Sequence, residues 1–200
     1  MKPGRTSVHK RTELSPKGEN TRERILKMSR DMFLDHGYDE LVLRRIAESL
    51  DMKLSNVQYY FKTKDDLVGA IIEGEERRDL SILREALDRF ESGEEIVRYI
   101  VPKFLEHWRS RAGIIFAARE FFAVYKPAIH LTKQETDAIF FDEMENLVIR
   151  MNPALDKAEV RRRRRLIVCV LDGAGIQADP GPRNQFNQSV EDLVISIAMA

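Results

Sequence analysis

The 200-residue sequence predicts an all-α chain. Apolar residues recur at three- and four-residue intervals along nearly its whole length, no strand-length segment alternates apolar with polar, and helix-capping and helix-breaking residues fall at helical spacing. With 43% hydrophobic residues the chain can build a sizeable core, and its length fits one large domain or two small ones.

The elements follow in order. Residues 1–18, with Pro3, Gly4, Ser7, Ser15, Pro16 and Gly18 among scattered basic residues, read as a flexible arm. A first helix is expected from near Asn20, capped by Asn20 or Thr21 with Glu23 completing a capping box. Ile25, Met28, Met32 and Phe33 form its apolar stripe, and Gly37 ends it. A short helix follows at about 43–50 with Leu43, Ile46, Ala47 and Leu50 inward, then a second over about 54–60. Thr63 and Asp66 have capping-box spacing at the start of a long helix carrying Leu67, Ile71, Leu80, Leu83, Leu87 and Phe90, which Gly93 breaks.

Four or five more helices are expected beyond Gly93. Ile96, Ile100, Phe104 and Trp108 share one face, with Pro102 predicting a kink or a late start. Ile114 to Phe122 make a short helix ended by Pro127, and Ile139 to Met151 another. Asp156 and Glu159 open a helix reaching about Ile176. The stretch ADPGPRNQ reads as a loop, and Phe186 to Ile197 as the last helix.

Charge is balanced overall but not along the chain. Residues 1–64 hold 14 Lys+Arg against 9 Asp+Glu, and the remainder 19 against 24. A basic N-terminal part points to a polyanion partner at that end. Cys169, the single cysteine, precludes an intramolecular disulfide and, within LIVCVL, reads as a buried small hydrophobe. The apolar runs fall short of the ~20 residues of a membrane helix, and the N-terminus has no secretory h-region, so a cytoplasmic location is expected. There is no Gly-rich phosphate loop, GxSxG, HExxH or Glu-x-x-His pair, and His9, His36, His107 and His130 are scattered. No enzyme, metal or cofactor is therefore expected. The run Arg161 to Arg165 sweeps around a helix and cannot form one basic face. It reads as a solvated helix start, with Glu159 and Arg163 at i,i+4 spacing.

Residues 41–67, LVLRRIAESLDMKLSNVQYYFKTKDDL, carry the functional signal. Two short helices around a turn, the second dense in amides, tyrosines and lysines, suit a helix laid in a DNA major groove. Asn56 and Gln58 are amides able to pair with adenine. They lie about 200° apart around a helix, so one reads bases while the other faces elsewhere, and Asn56 is favoured by its place near the helix N-terminus. Tyr59 and Tyr60 offer hydroxyls to phosphate or pack inward. Val57 and Phe61 are core anchors. Lys62, Lys64 and one of Arg44 and Arg45 are expected on phosphate, with Thr21 and Arg22 as weaker candidates.

The same segment resembles the TetR family of transcriptional regulators. The likeness covers roughly residues 20–72: the helix ending Gly37-Tyr38, then Ile46-Ala47, Tyr60-Phe61, Lys64 and Leu67. Family members often read IAxxAGVSxGTLYxHFxxKxxL where this chain reads IAESLDMKLSNVQYYFKTKDDL, without a gap. The departures are Asp51 for the turn glycine, Lys53 for the capping serine, Gln58 for tyrosine and Tyr60 for histidine. Ser55 is a candidate cap for a helix starting slightly later.

The resemblance implies a helix-turn-helix DNA-binding domain over residues 19–66 and an effector-binding and dimerisation domain over 67–200. It further implies a homodimer on a double-stranded palindromic operator, released by a small-molecule effector, hence a repressor. The DNA-contacting candidates are Arg44, Lys53, Ser55, Asn56, Gln58, Tyr59, Tyr60, Lys62 and Lys64. Effector candidates are Phe104, His107, Trp108, Phe116, Arg119, Phe122, Phe140 and Met144, with Glu120 and Tyr125 nearby. Their aromatic character predicts an apolar ligand. Two other readings fit the residues: a helical ligand-binding protein with a vestigial helix-turn-helix, and an architectural DNA-binding protein without operator specificity.

Overall fold

A computed structural model of the chain describes residues 14–177 and 183–200, with side chains for all of these except 123, 127–136, 183 and 184. Nine helices and no strand occur among the described residues. They are α1 (Pro16–Glu40), α2 (Leu43–Ser49), α3 (Leu54–Tyr60), α4 (Lys64–Arg89), α5 (Gly93–Trp108), α6 (Gly113–Tyr125), α7 (Pro127–Met151), α8 (Lys157–Ile176) and α9 (Arg183–Met199). The chain is all-α, as its periodicity predicts. The expected arm up to residue 13 and the core of the ADPGPRNQ loop, residues 178–182, lie outside the described residues.

Most differences from the sequence reading concern helix ends. The first helix begins at Pro16 rather than near Asn20. Ser15 caps it, its hydroxyl accepting from the Gly18 amide at 3.2 Å, and Pro16 has no amide to leave unsatisfied. The Asn20–Glu23 box is not used. Gly37 does break the helical geometry, at φ 78° and ψ −177°. A short continuation reaches Glu40. Pro102 lies inside α5, which runs through it. Two forecast caps are present. Thr63 and Asp66 form the reciprocal box on α4, at 3.0 and 2.9 Å, and Asp156 accepts from the Glu159 amide at 2.8 Å.

Two hydrophobic clusters organise the chain. The first joins Ile25 and Phe33 of α1, Ile46 of α2, Val57 of α3 and Phe61 to Leu67, Val68, Ile71 and Ile72 of α4, and reaches Ile115 and Phe122 of α6. The second gathers α5, α7, α8 and α9 around Leu83 and Ala86, farther along α4. Helix α4 therefore belongs to both. At 1.5 Å per residue its 26 residues span about 39 Å.

Cys169 is exposed, contrary to expectation. The buried face of α8 is set by Val160, Arg163, Ile167, Leu171 and Ala174, and Cys169 lies about 200° around the helix from Ile167. The arginine run also differs from a fully solvated start. Arg163 is buried, bonding Glu159 at 2.8 Å and the Ala198 carbonyl at 3.0 Å. Arg164 lies 4.3 Å above the Phe141 ring. Arg161 and Arg165 remain exposed.

The capping box holds the end of α4 that the first cluster anchors. Thr63→Ala is expected to lower stability by about 1 kcal/mol, read as a reduced midpoint in chemical denaturation.

Candidate DNA interface and ligand cleft

Helices α2 and α3 are joined by a tight turn. The Leu50 and Met52 amides donate back to the Ala47 carbonyl at 3.2 and 2.8 Å, and Asp51 takes φ 51°. A left-handed residue costs least for Gly, Asn and Asp, so aspartate fills the place of the usual glycine with the same backbone. Val57 and Phe61 are buried and fix α3 to the first cluster. The rest of α3 faces outward: Ser55, Asn56, Gln58 and Tyr59 are exposed, and Tyr60 is half-buried with its ring edge-on to Tyr59 at 5.0 Å. Ser55 is not a cap, because α3 starts at Leu54 with Lys53 in the cap position and no side-chain bond there.

The basic residues divide into two kinds. Lys53 and Lys62 are exposed and make no ion pair among the described residues. Arg44 is exposed and pairs with Glu48 at 3.0 Å, an i,i+4 contact that a phosphate can replace at little cost. Arg45 pairs with Glu40. Lys64 departs from expectation. Its ammonium sits 3.8 Å above the Tyr38 ring and donates to the Asp39 carbonyl at 3.2 Å. It ties α4 to the end of α1 instead of projecting toward a phosphate. Arg22 stacks over Phe61 at 5.2 Å, and the Thr21 hydroxyl donates to the Lys17 carbonyl.

The model of bacterial regulatory proteins of the tetR family matches residues 25–71, the span from α1 into α4 that builds this face. The domain formed by residues 25–71 is of the TetR type. An HTH-type transcriptional regulator from the dhlA 5′ region of Xanthobacter autotrophicus is 31% identical over 104 residues, 51% of this chain and 52% of that protein. The chain thus spans about half the length of the curated relatives it matches. Two crystal structures share the fold over most of both chains. A transcriptional regulator from Rhodococcus sp. Rha1 is 18% identical at TM-score 0.72, covering 90% of this chain and 96% of that one. A TetR transcription regulator from Haloarcula marismortui is 17% identical at TM-score 0.69, covering 90% and 97%. The curated relatives matched over this half of the chain are HTH-type transcriptional regulators.

Beyond the matched residues, a cleft opens among α4, α5, α6, α7 and α8. Its enclosed part is small, about 40 Å³, and its empty space with the mouth is about 450 Å³. Glu76, Asp79, Trp108, Arg119, Asp137, Phe140, Phe141, Val168 and Asp172 line it among the described residues. A smaller recess beside it adds His107 and Phe116. Of the eight effector candidates, Trp108, Arg119 and Phe140 line the cleft and His107 and Phe116 the recess. Phe104, Phe122 and Met144 do not. Phe104 and Met144 are fully buried in the second cluster, and Phe122 packs on Tyr38 in the first, with ring centroids 4.7 Å apart. Glu120 pairs with Arg119, and Tyr125 is exposed on α6.

The cleft combines its aromatic surface with charged groups. Four carboxylates line it beside one guanidinium. Sequence reasoning missed Glu76, Asp79, Asp137 and Asp172, because an acidic residue on a helix reads as a solvated face unless a neighbouring helix covers it. The one available signal was the i,i+3 spacing of Glu76 and Asp79 along α4.

Phe104, Trp108 and Phe116 form a stacked column, with centroids 5.2 and 4.5 Å apart. The Trp108 indole N–H donates to Asp79 at 2.8 Å. Burial pushes the Asp79 carboxyl up to about 6, although the Trp108 hydrogen bond and the charges of His107, Arg119 and Arg78 oppose the shift. Nearby, Glu75 accepts from Arg30 of α1 at 2.6 Å and lies 2.7 Å from His107 Nε2. Burial disfavours the charged Glu75, but these two partners hold it below the usual carboxylate range.

The sign of the Asp79 effect follows from linkage. A carboxyl whose folded value lies above its unfolded value takes up protons on folding, so stability falls as pH rises from about 4 to about 6 and stays reduced above that. Asp79→Asn removes this term. The variant is expected to exceed the parent in unfolding free energy at pH 7, by up to about 3 kcal/mol at 1.36 kcal/mol per unit. The advantage should vanish near pH 4 in paired denaturation curves.

Proposed function

We propose that the chain is a dimeric repressor whose α3 helices occupy successive major grooves of a palindromic operator, and which a small-molecule effector in the α4–α8 cleft releases. Residues 19–66 act as the DNA-binding domain and 67–200 as the effector and dimerisation domain, in the cytoplasm. The observation carrying this reading is α4. One rigid helix bears Thr63 and Leu67 at the DNA-binding end and Glu76 and Asp79 in the wall of the cleft.

Asn56 is assigned the leading role in base reading. Gln58, Ser55 and Tyr59 extend the same exposed surface, and Tyr60 supports Tyr59. Phosphate contact is assigned to Lys53, Lys62 and Arg44, while Lys64 positions α4. Phosphate contacts supply affinity and base contacts selectivity. The dimer contact is assigned to the outer faces of α8 and α9, where Leu166, Leu193 and Met199 are large, apolar and exposed. Cys169 lies on that α8 face.

An effector moves the equilibrium only by its differential affinity for two arrangements. A ligand too large for the roughly 40 Å³ cavity would part α4 from its neighbours. Three contacts would pass such a movement to α1–α3: Arg30 with Glu75, Arg111 with Asp35, and Lys126 with Asp65, whose carboxylate accepts from the Tyr38 hydroxyl at 2.6 Å. Groove-to-groove spacing in a dimer must stay near 34–36 Å or a multiple of it, so tilting α4 disengages one half-site.

Selection of duplexes from a random-sequence pool tests the reading. The expected product is a palindrome bound by a dimer, as seen by sedimentation; a monomer without sequence preference overturns it. On the selected duplex, Lys62→Ala should weaken binding to all sequences and flatten the log–log salt slope by about 1. Asn56→Ala should relax preference at one base step, at about 1–3 kcal/mol of discrimination.

A further inference from the structure

We propose that the α4–α8 cleft is a receptor for an organic cation with an aromatic or bulky apolar body, its charge facing Asp79 and Glu76 and its body lying on Trp108, Phe140 and Phe141. This rests on the effector reading of the cleft and adds the ligand's chemical class.

A buried oxygen of Asp79 marks the site. Asp79 is only 6% exposed. Its Oδ2 accepts from Trp108, but its Oδ1 has no hydrogen-bond partner among the described residues. Leaving a buried carboxylate oxygen unsatisfied costs on the order of 1–3 kcal/mol or more. The residue that carries this oxygen lines the cleft.

The sign of the local field selects a cation. Glu76, Asp137 and Asp172 line the same opening, and Arg119 is the one basic residue among its described lining. Arg119 is itself nearly buried and stands 3.8 Å from both Glu76 and Asp172, while its closest carboxylate is Glu120 at 2.9 Å. An anionic ligand would meet this lining with net repulsion, and a cation with net attraction.

The aromatic wall suits the same ligand. Aromatic faces attract cations within about 6 Å of the ring centre. Rings in and beside the cleft already hold two: Arg119 lies 4.8 Å over Phe116 and Arg164 lies 4.3 Å over Phe141. A bare metal ion does not fit the same lining, since no group of three metal-ligating side chains is poised together among the described residues. Carboxylates spaced along aromatic surface instead match a diffuse charge on a carbon framework.

Trp108, the single tryptophan of the sequence, reports on the site directly. The full-length protein is titrated at pH 7.5 with benzyltrimethylammonium, with neutral benzyl alcohol and with anionic benzenesulfonate, following tryptophan emission. The expected result is a saturable change with the cation alone, weakened at least tenfold by Asp79→Asn and by Asp172→Asn. Both variants should keep the parent's far-ultraviolet dichroism, and if one fails to fold the other carries the test. Equal or tighter binding of the neutral or anionic probe, or unchanged cation affinity in the folded variants, overturns the proposal. Binding of the selected duplex is measured alongside. No cation response in protein that binds its duplex removes the cation class and leaves the regulator reading standing. A saturable, Asp79-dependent response that leaves duplex affinity unchanged supports the site and removes its role as the effector switch.

Discussion

Helix α4 is the member on which the rest of the structure depends. Its first three turns are buried on the α1–α3 side through Leu67, Val68, Ile71 and Ile72, and its last turns are buried against the second cluster through Leu83 and Ala86. A helix is stiff along its axis because each turn is bonded to the next. Two packed groups that share one helix cannot reorient independently unless that helix bends or shifts. The capping box at Thr63 gives this member a definite start, and Lys64, set on the Tyr38 ring, fixes the start to the end of α1.

The middle of the same helix accepts an electrostatic penalty. Glu76 and Asp79 are carried into the interior, where an ionised carboxylate is disfavoured, and the aromatic column of Phe104, Trp108 and Phe116 stands against them. Trp108 joins the two kinds of surface: its ring stacks in the column and its N–H serves Asp79. Gly175 of α8 lets that ring approach, since a Cβ there would lie 2.7 Å from Trp108 Cε3. Polar groups that reduce stability inside a core are expected where a chain binds something, and here they coincide with the opening.

The exposed face of α3 has the opposite character. Val57 and Phe61 anchor α3, and nearly everything else on it is left to solvent. Affinity for a polyanion then depends on which cations are free of internal partners. Lys62 and Lys64 are two residues apart, yet one is exposed with no ion pair among the described residues and the other is engaged with Tyr38 and Asp39. The Glu75 carboxylate extends the same logic across helices: it draws Arg30 of α1 and His107 of α5 to one point on α4.

Local patterns in the sequence determined the helical class, the positions of α2 and α3, the Thr63 and Asp156 caps, the break at Gly37 and the inward anchors Val57 and Phe61. All of these depend on residues within a few positions of one another, where helical periodicity and capping chemistry are decisive. The start of α1 was misplaced because two competing caps, Ser15 and Asn20, lie five residues apart, and the proline after Ser15 tipped the choice. What the tertiary structure alone decided is which polar side chains lose their water. Arg163, Glu76 and Asp79 look like surface charges along their own helices and become interior groups because α9, α6 and α5 cover them. Cys169 sits in an apolar run and is nonetheless exposed, because the buried face of α8 is chosen by its neighbours. The acidic lining of the cleft comes from four separate carboxylates on three helices, and no spacing along the chain brings those together.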